Sequence, residues 1–199
     1  MKDLVYISPI AFGDNALVVN PKLPINSVKD LISLAKSQPG KLNFGSTGPG
    51  SSVHLGGELL KLQAGIDMVH VPYKGGAPAI TDTIAGQTHL YCPGVTSAMP
   101  FVKQGKLKAL GLTTLKRSPL LPDMPTLHEQ GLTGFDASSW MAVLAPAKTP
   151  RPIVQRLHDE IARVVANPDF RAFVMQNGSE PTIMTPDELG AYIRAELEK

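Results

Sequence analysis

The residues with the most chemical content in this chain are Gly45, Ser46, Thr47, Gly48, Gly50, Ser51 and Ser52. They form a glycine- and hydroxyl-rich turn between the apolar run Leu42-Asn43-Phe44 and the periodic apolar positions Val53, Leu55, Leu59 and Leu62. Ser51 or Ser52 can cap the helix that those positions describe. The first-turn N–H groups have no intrahelical partner and face whatever lies in front of them. A carboxylate or phosphate suits such a place, because the helix dipole favours negative charge by roughly 0.3–1 kcal/mol, and by up to about 2 kcal/mol in a partly buried site. Glycine lets a ligand come close to the backbone. Two readings follow from these residues alone: an anion cradle, and an ordinary strand-to-helix turn with good capping chemistry.

Nucleotide motifs fail at identifiable positions. Gly45 and Gly50 have the spacing of a Walker A loop, but Ser51 stands where the phosphate-binding lysine is required. Gly48 and Gly50 begin a dinucleotide fingerprint, and Val53 then occupies the place of its third glycine. Catalytic groups are equally hard to assemble. Gly50-Ser51-Ser52-Val53-His54 lacks the spacing of a nucleophile elbow, and His54 follows Ser52 too closely to act as its base. His54 and Glu58 share a helical face without a second histidine or a cysteine cluster, so no metal is expected. Cys92 has only His89 nearby and reads as a small hydrophobe beside Tyr91. No paired carboxylates accompany the glycine turns. The expectation is a binder of a small acid, not an enzyme, with no cofactor.

Composition agrees with a folded domain of ordinary kind. The 199 residues are 43% hydrophobic and 18% charged, with a formal charge of +2 and no basic run, which gives no case for nucleic acid. No stretch reaches the ~20 apolar residues of a membrane span. Met1-Lys2-Asp3-Leu4 leads into Val5-Tyr6-Ile7-Ser8-Pro9 without an apolar run or a cleavage site, so no signal peptide is expected. The single cysteine, Cys92, precludes an internal disulfide.

The elements that must position the turn follow from periodicity. Residues 5–7 and 16–19 read as extended. Ser27 caps a helix carrying Val28, Leu31, Ile32 and Ala35, closed by Pro39-Gly40. Strands at 42–44, 68–71, 88–92 and 107–113 alternate with helices at 52–64, 78–85 and 97–104, the pattern of a mostly parallel sheet covered on both faces. A short helix at 126–130 and a strand at 138–144 containing Trp140 come next. Helices at 152–166, 168–176 and 186–198 follow, the last opened by the capping box Thr185-Pro186-Asp187-Glu188. In such a sheet the strand-to-helix turns share one edge. The turns at Gly45–Gly50, at Gly75-Gly76 after Tyr73-Lys74, and at Gly94 before Val95-Thr96-Ser97 should therefore converge on one crevice. Lys74 is the cation in this set, with a solvated loop lysine as its alternative reading.

Several runs together resemble the substrate-binding receptors of tripartite tricarboxylate transporters, the Bug or TctC-like proteins. Lys41-Leu42-Asn43-Phe44-Gly45-Ser46 with Gly50-Ser51-Ser52-Val53-His54-Leu55-Gly56-Gly57-Glu58 looks like the family's central loop and helix. His70-Val71-Pro72-Tyr73-Lys74-Gly75 is similar to its next strand, and the runs from Lys116 through Pro119, Pro122 and Pro125 to Thr126 and from Ala145 to Pro150 are similar to two more.

The resemblance implies an α/β fold of the periplasmic binding protein type II kind. It would have one complete lobe with a mostly parallel sheet, plus C-terminal helices of a truncated second lobe. It divides the chain into a first crossover segment (1–20), the complete lobe (21–137), a return crossover strand (138–150) and the C-terminal helical part (151–199). It implies a periplasmic receptor that hands a small carboxylate to membrane permease subunits. Ser46, Thr47, Gly48, Gly50, Ser51 and Ser52 match the ligand loop; Lys74, Gly75, Val95 and Thr96 complete the candidate set.

The chain departs from the family in two places. His89 stands where an aspartate is usual in the family and Cys92-Pro93-Gly94 is atypical, so an altered pocket floor is expected from that strand. The signal peptide, first strand and opposing glycine-rich loop have no counterpart, so the chain is expected to be a truncated form with exposed apolar helix stripes. Self-association and weakened binding follow, since one jaw cannot bury the roughly 70–90% of a ligand that pockets typically enclose. An oligomeric interaction module without a ligand, or an enzyme using the glycine-rich loop, are the alternatives.

Overall fold

The computed structural model describes residues 3–198. Met1 and Lys2, which open the stretch read for a leader, lie outside the described residues, as does Lys199. In chain order the elements are β1 (Leu4–Gly13), β2 (Ala16–Val19), α1 (Val28–Ser37), β3 (Asn43–Ser46), α2 (Ser52–Ala64), β4 (Val69–Pro72), α3 (Gly76–Ala85), β5 (Leu90–Tyr91), α4 (Val95–Lys103) and β6 (Lys108–Leu112). They continue with β7 (Ser139–Pro146), α5 (Arg151–Ala166), α6 (Pro168–Gln176), β8 (Ser179–Pro181) and α7 (Pro186–Leu197). Two compact units result: Asp14–Ser139, and the described residues up to Gly13 together with Trp140 onward.

The Asp14–Ser139 unit holds a five-stranded sheet in the order β4-β3-β5-β2-β6. β3 runs parallel to both β4 and β5, whereas β2 runs antiparallel to β5 and β6. The sheet is therefore mixed, with β2 the reversed strand. Its sequence shows why it lies inside: Ala16, Leu17, Val18 and Val19 are all at most 1% exposed, a continuous apolar run of the kind a strand covered on both faces needs. Alternation sends Leu17 and Val19 into one core with α1 and α2, and Ala16 and Val18 into the opposite core with α3 and α4. β4 sits at the edge, where Pro72 costs no ladder hydrogen bond.

Local signals account for most helix ends. Ser27 accepts from Asp30 N at 3.1 Å, and Gly65 and Gly86 close α2 and α3 in the left-handed region. α3 and α4 each begin two residues earlier than expected, directly after Gly75 and Gly94. The expected helix at 126–130 is a turn instead. Thr126 and Glu129 make reciprocal capping-box bonds of 2.9 and 3.1 Å, but Gly131, at φ 107°, ends the turn before a helix develops.

The other unit contains a three-stranded sheet, β7-β1-β8, in which β1 and β8 pair antiparallel with Ala11 opposite Pro181. Strand β8 is three residues long and ends in proline, so periodicity gave no sign of it. α5 and α7 both pack on β1, so the C-terminal helices do have strands beneath them, and Gly190 of α7 lies where a Cβ would meet the Tyr6 ring at 3.0 Å. The Thr185–Glu188 capping box forms as the sequence indicates. Apolar residues nevertheless remain outside: Ile153, Leu157 and Val164 on α5 and Phe173 on α6 are exposed.

Candidate functional site

β3 carries the chain straight into the glycine-rich turn, where hydroxyls are used to tie the loop to itself. Ser46 is fully buried; its Oγ lies 2.6 Å from His70 Nε2 and accepts from the Gly48 N–H at 3.0 Å. Ser51 caps α2, accepting from the His54 N–H at 3.2 Å and donating to the Gly48 carbonyl at 2.8 Å. His54 Nδ1 accepts from the Gly50 N–H at 3.1 Å. Gly48 and Gly50, at φ 126° and 77°, supply the left-handed backbone that this tight path needs. Replacing Ser51 by alanine should lower stability by about 0.5–2 kcal/mol through loss of the cap, read as a lower denaturation midpoint with an unchanged slope.

Thr47 and Ser52 are left free of that internal network and line a cavity of about 590 Å³. The second turn contributes Gly76 and Ala77 to its wall, and the third contributes Pro93, Gly94 and Ser97. All three glycine turns thus meet at one cavity, and none of its lining residues carries a charge. α2 is capped by a side chain, but α3 is not: Gly75 offers none, and the first-turn N–H groups of Gly76 and Ala77 have no acceptor within the helix. α4 also lacks a side-chain cap, and its Val95 N–H donates to the Asp14 carbonyl at 2.9 Å. A carboxylate bound here would be held by neutral donors and the α3 dipole.

The remaining candidate residues lie elsewhere. Lys74 is exposed in the second turn, Gly75 is the cap residue of α3, Val95 is buried in the core, and Thr96 is exposed at the start of α4; none of these lines the cavity. Other lining residues, among them Asn15, Ser139 and Tyr91, had no signal in the sequence. Asn15 Nδ2 donates to Ser139 Oγ at 2.8 Å, which lies 3.1 Å from Ser52 Oγ, so an amide and two hydroxyls run in series along the wall. Tyr91 lines the cavity from β5.

Behind the turn, Phe44, His70 and His54 form a stack, with centroids 5.1 Å apart for Phe44–His70 and 4.0 Å for His54–His70. Burial and the neighbouring His54 push His70 below the usual histidine value of 6.5. His89, bonded to Asn43 at 2.7 Å, is likewise lowered by burial. Because both bind protons more weakly folded than unfolded, their neutral forms stabilise the fold fully above about pH 6.5, and that contribution is lost as pH falls below it. The melting temperature should accordingly drop between about pH 7.5 and pH 5, and the drop should shrink in His70→Gln. Burial also pushes the Cys92 thiol up to about 12, which leaves it without nucleophilic thiolate at neutral pH. Among the described residues no His, Cys, Asp or Glu cluster has the makings of a metal site.

In an open α/β sheet the carboxyl edge, where the strand-to-helix turns lie, is the place for a ligand, and here three such turns meet at a single cavity. The family model described as "Tripartite tricarboxylate transporter family receptor" matches residues 1–199, and the chain belongs to that family. It is 36% identical over its whole length to the "UPF0065 protein in tcbD-tcbE intergenic region" of Pseudomonas sp. (strain P51), covering 59% of that protein. Among solved structures it resembles R. palustris Rpa4515 with adipate, at 34% identity and TM-score 0.87, over 99% of this chain and 66% of that one. It also resembles MatC (Rpa3494) from Rhodopseudomonas palustris with bound malate, at 27% identity and TM-score 0.86, over 98% of this chain and 67% of that one. The chain therefore spans about six tenths of the length of the curated relative.

Proposed function

We propose that this chain is the ligand-binding part of an extracytoplasmic receptor that captures a small carboxylic acid for a tripartite tricarboxylate-type transporter. The observation that carries the reading is the cavity lined from all three glycine turns, with the uncapped amino end of α3 on its wall. Adipate in Rpa4515 and malate in MatC support the ligand class. Thr47, Ser52 and the α3 backbone are its contacts, while Ser46, Gly48, Gly50 and Ser51 give the loop its shape. Lys74, Gly75, Val95 and Thr96 surround that core, with Lys74 as the long-range cation. Residence in the periplasm and hand-over to membrane permease subunits belong to the same proposal, as does self-association through the exposed Ile153, Leu157, Val164 and Phe173.

The test is a thermal shift screen with adipate, malate, citrate and benzoate, using ATP as the contrast. A one-site ligand at 100 times its Kd adds about 2.7 kcal/mol, or roughly 5–10 °C for a chain of this size. Carboxylate shifts are expected; shifts with ATP alone, or with nothing, would overturn the reading. Light scattering decides self-association separately, and a monomer would remove that part.

A further inference from the structure

Strand β5 is two residues long, and alternation sends Leu90 to the face covered by α1 and α2 and Tyr91 to the face covered by α3 and α4. The Tyr91 side chain crosses over Gly45, its Cδ2 standing 3.6 Å from the place a Gly45 Cβ would take. Its hydroxyl arrives at the amino end of α3, 3.1 Å from where a Cβ on Gly76 would be. Tyr91 is only 3% exposed, yet it lines the cavity, and among the described residues its hydroxyl has no hydrogen-bond partner. Tyr73, in the same unit, differs: its hydroxyl donates to Asp82 Oδ2 at 2.8 Å.

The body of Tyr91 is buried while the residue lines the cavity, so its hydroxyl is held in place there, free to donate to an acceptor that comes from outside. Burial pushes this phenol up to about 12, which keeps it a donor at neutral pH. The position beside Gly76 matters because the first N–H groups of α3 converge on the same spot without a side-chain cap. Asn15, Ser52 and Ser139 line one part of the same cavity, and Val53, Ile80 and Phe101 contribute side chains that offer hydrocarbon and no donor.

We infer that Tyr91 is a ligand-binding residue, its hydroxyl donating to a carboxylate oxygen seated at the amino end of α3 while the ligand's hydrocarbon body lies against Ile80 and Phe101. The inference rests on the receptor reading and narrows it to acyl or aryl carboxylates in preference to hydroxylated ones. A hydroxyl group placed against Ile80 and Phe101 would lose its water without gaining a partner. Malate and citrate are disfavoured on that ground, and adipate and benzoate are accepted.

The experiment is calorimetric titration of the wild-type chain, Tyr91→Phe and Tyr73→Phe with adipate, benzoate, malate and citrate. A hydrogen bond to a charged group corresponds to a loss of roughly ten- to a hundredfold in affinity, which is the change expected in Tyr91→Phe for the best-bound probe. Tyr73→Phe should bind as the wild type does. Adipate or benzoate should bind more tightly than malate and citrate. A near-ultraviolet difference spectrum on adding the best-bound probe gives a readout that needs no folded variant: the wild type should show a perturbed tyrosine. Equal affinity in the wild type and Tyr91→Phe, an unperturbed tyrosine spectrum, or tighter binding of malate and citrate would overturn the inference while leaving the receptor reading standing. Failure of every carboxylate to bind the wild type would remove both.

Discussion

Gly57→Ala should destabilise the Asp14–Ser139 unit by about 1–3 kcal/mol, even though alanine is the better helix former by about 1 kcal/mol. A Cβ at position 57 would overlap the edge of the Phe44 ring at Cε2, far inside any tolerated contact. The ring cannot yield easily, because Phe44 is 3% exposed and one of its faces is stacked on His70. The substitution therefore pushes α2 away from β3 or shifts Phe44 toward the histidine stack that backs the glycine turn. The effect should appear as a melting temperature lower by roughly 4–10 °C and as altered His54 and His70 ring resonances. Phe44→Leu in the same chain should recover part of the loss, giving a coupling between the two sites, since contacting residues are not additive. Gly50→Ala makes a useful contrast, because its Cβ would meet nothing within 4 Å and its cost comes from the left-handed backbone alone.

Ser46→Ala is the second large effect. The Ser46 hydroxyl joins His70 Nε2 and the Gly48 N–H, and all of it lies in a fully buried residue at the end of β3. Alanine removes both bonds from partners that are themselves partly buried, a cost of about 0.5–1.5 kcal/mol. The loss falls on the turn itself. Faster amide exchange at Gly48 and Gly50 is expected, along with weaker carboxylate binding, because the loop would have to be ordered by the ligand. Unchanged exchange at Gly48 would mean that the glycine backbone, not the hydroxyl, holds the turn.

These two sites show where the sequence was legible and where it was not. Glycines and hydroxyls at strand ends are visible in a sequence because turns and caps demand them, and so the three turns and their shared edge could be read from residues 45–50, 75–76 and 94. Which hydroxyl does what could not. Ser46 and Ser51 serve the loop while Thr47 and Ser52 face the cavity, and that division depends on side-chain directions fixed by φ at Gly48 and Gly50. The reversed direction of β2 was also hidden, because an apolar run of four looks the same either way round. Tyr91 was invisible for a related reason. Beside Leu90 and Cys92 it reads as core, and only the sheet's order decides that its face is the one beneath α3 and α4.

The central claim is that a carboxylate binds in the cavity where the three turns meet. The most direct test is a residue-resolved amide spectrum of the isotope-labelled chain, titrated with adipate and then with benzoate. The account predicts saturable shifts concentrated at Thr47, Ser52, Gly76, Ala77 and Gly94 for at least one of the two acids. Shifts confined to α5, α6 and α7, or a spectrum unchanged by both acids, would contradict it.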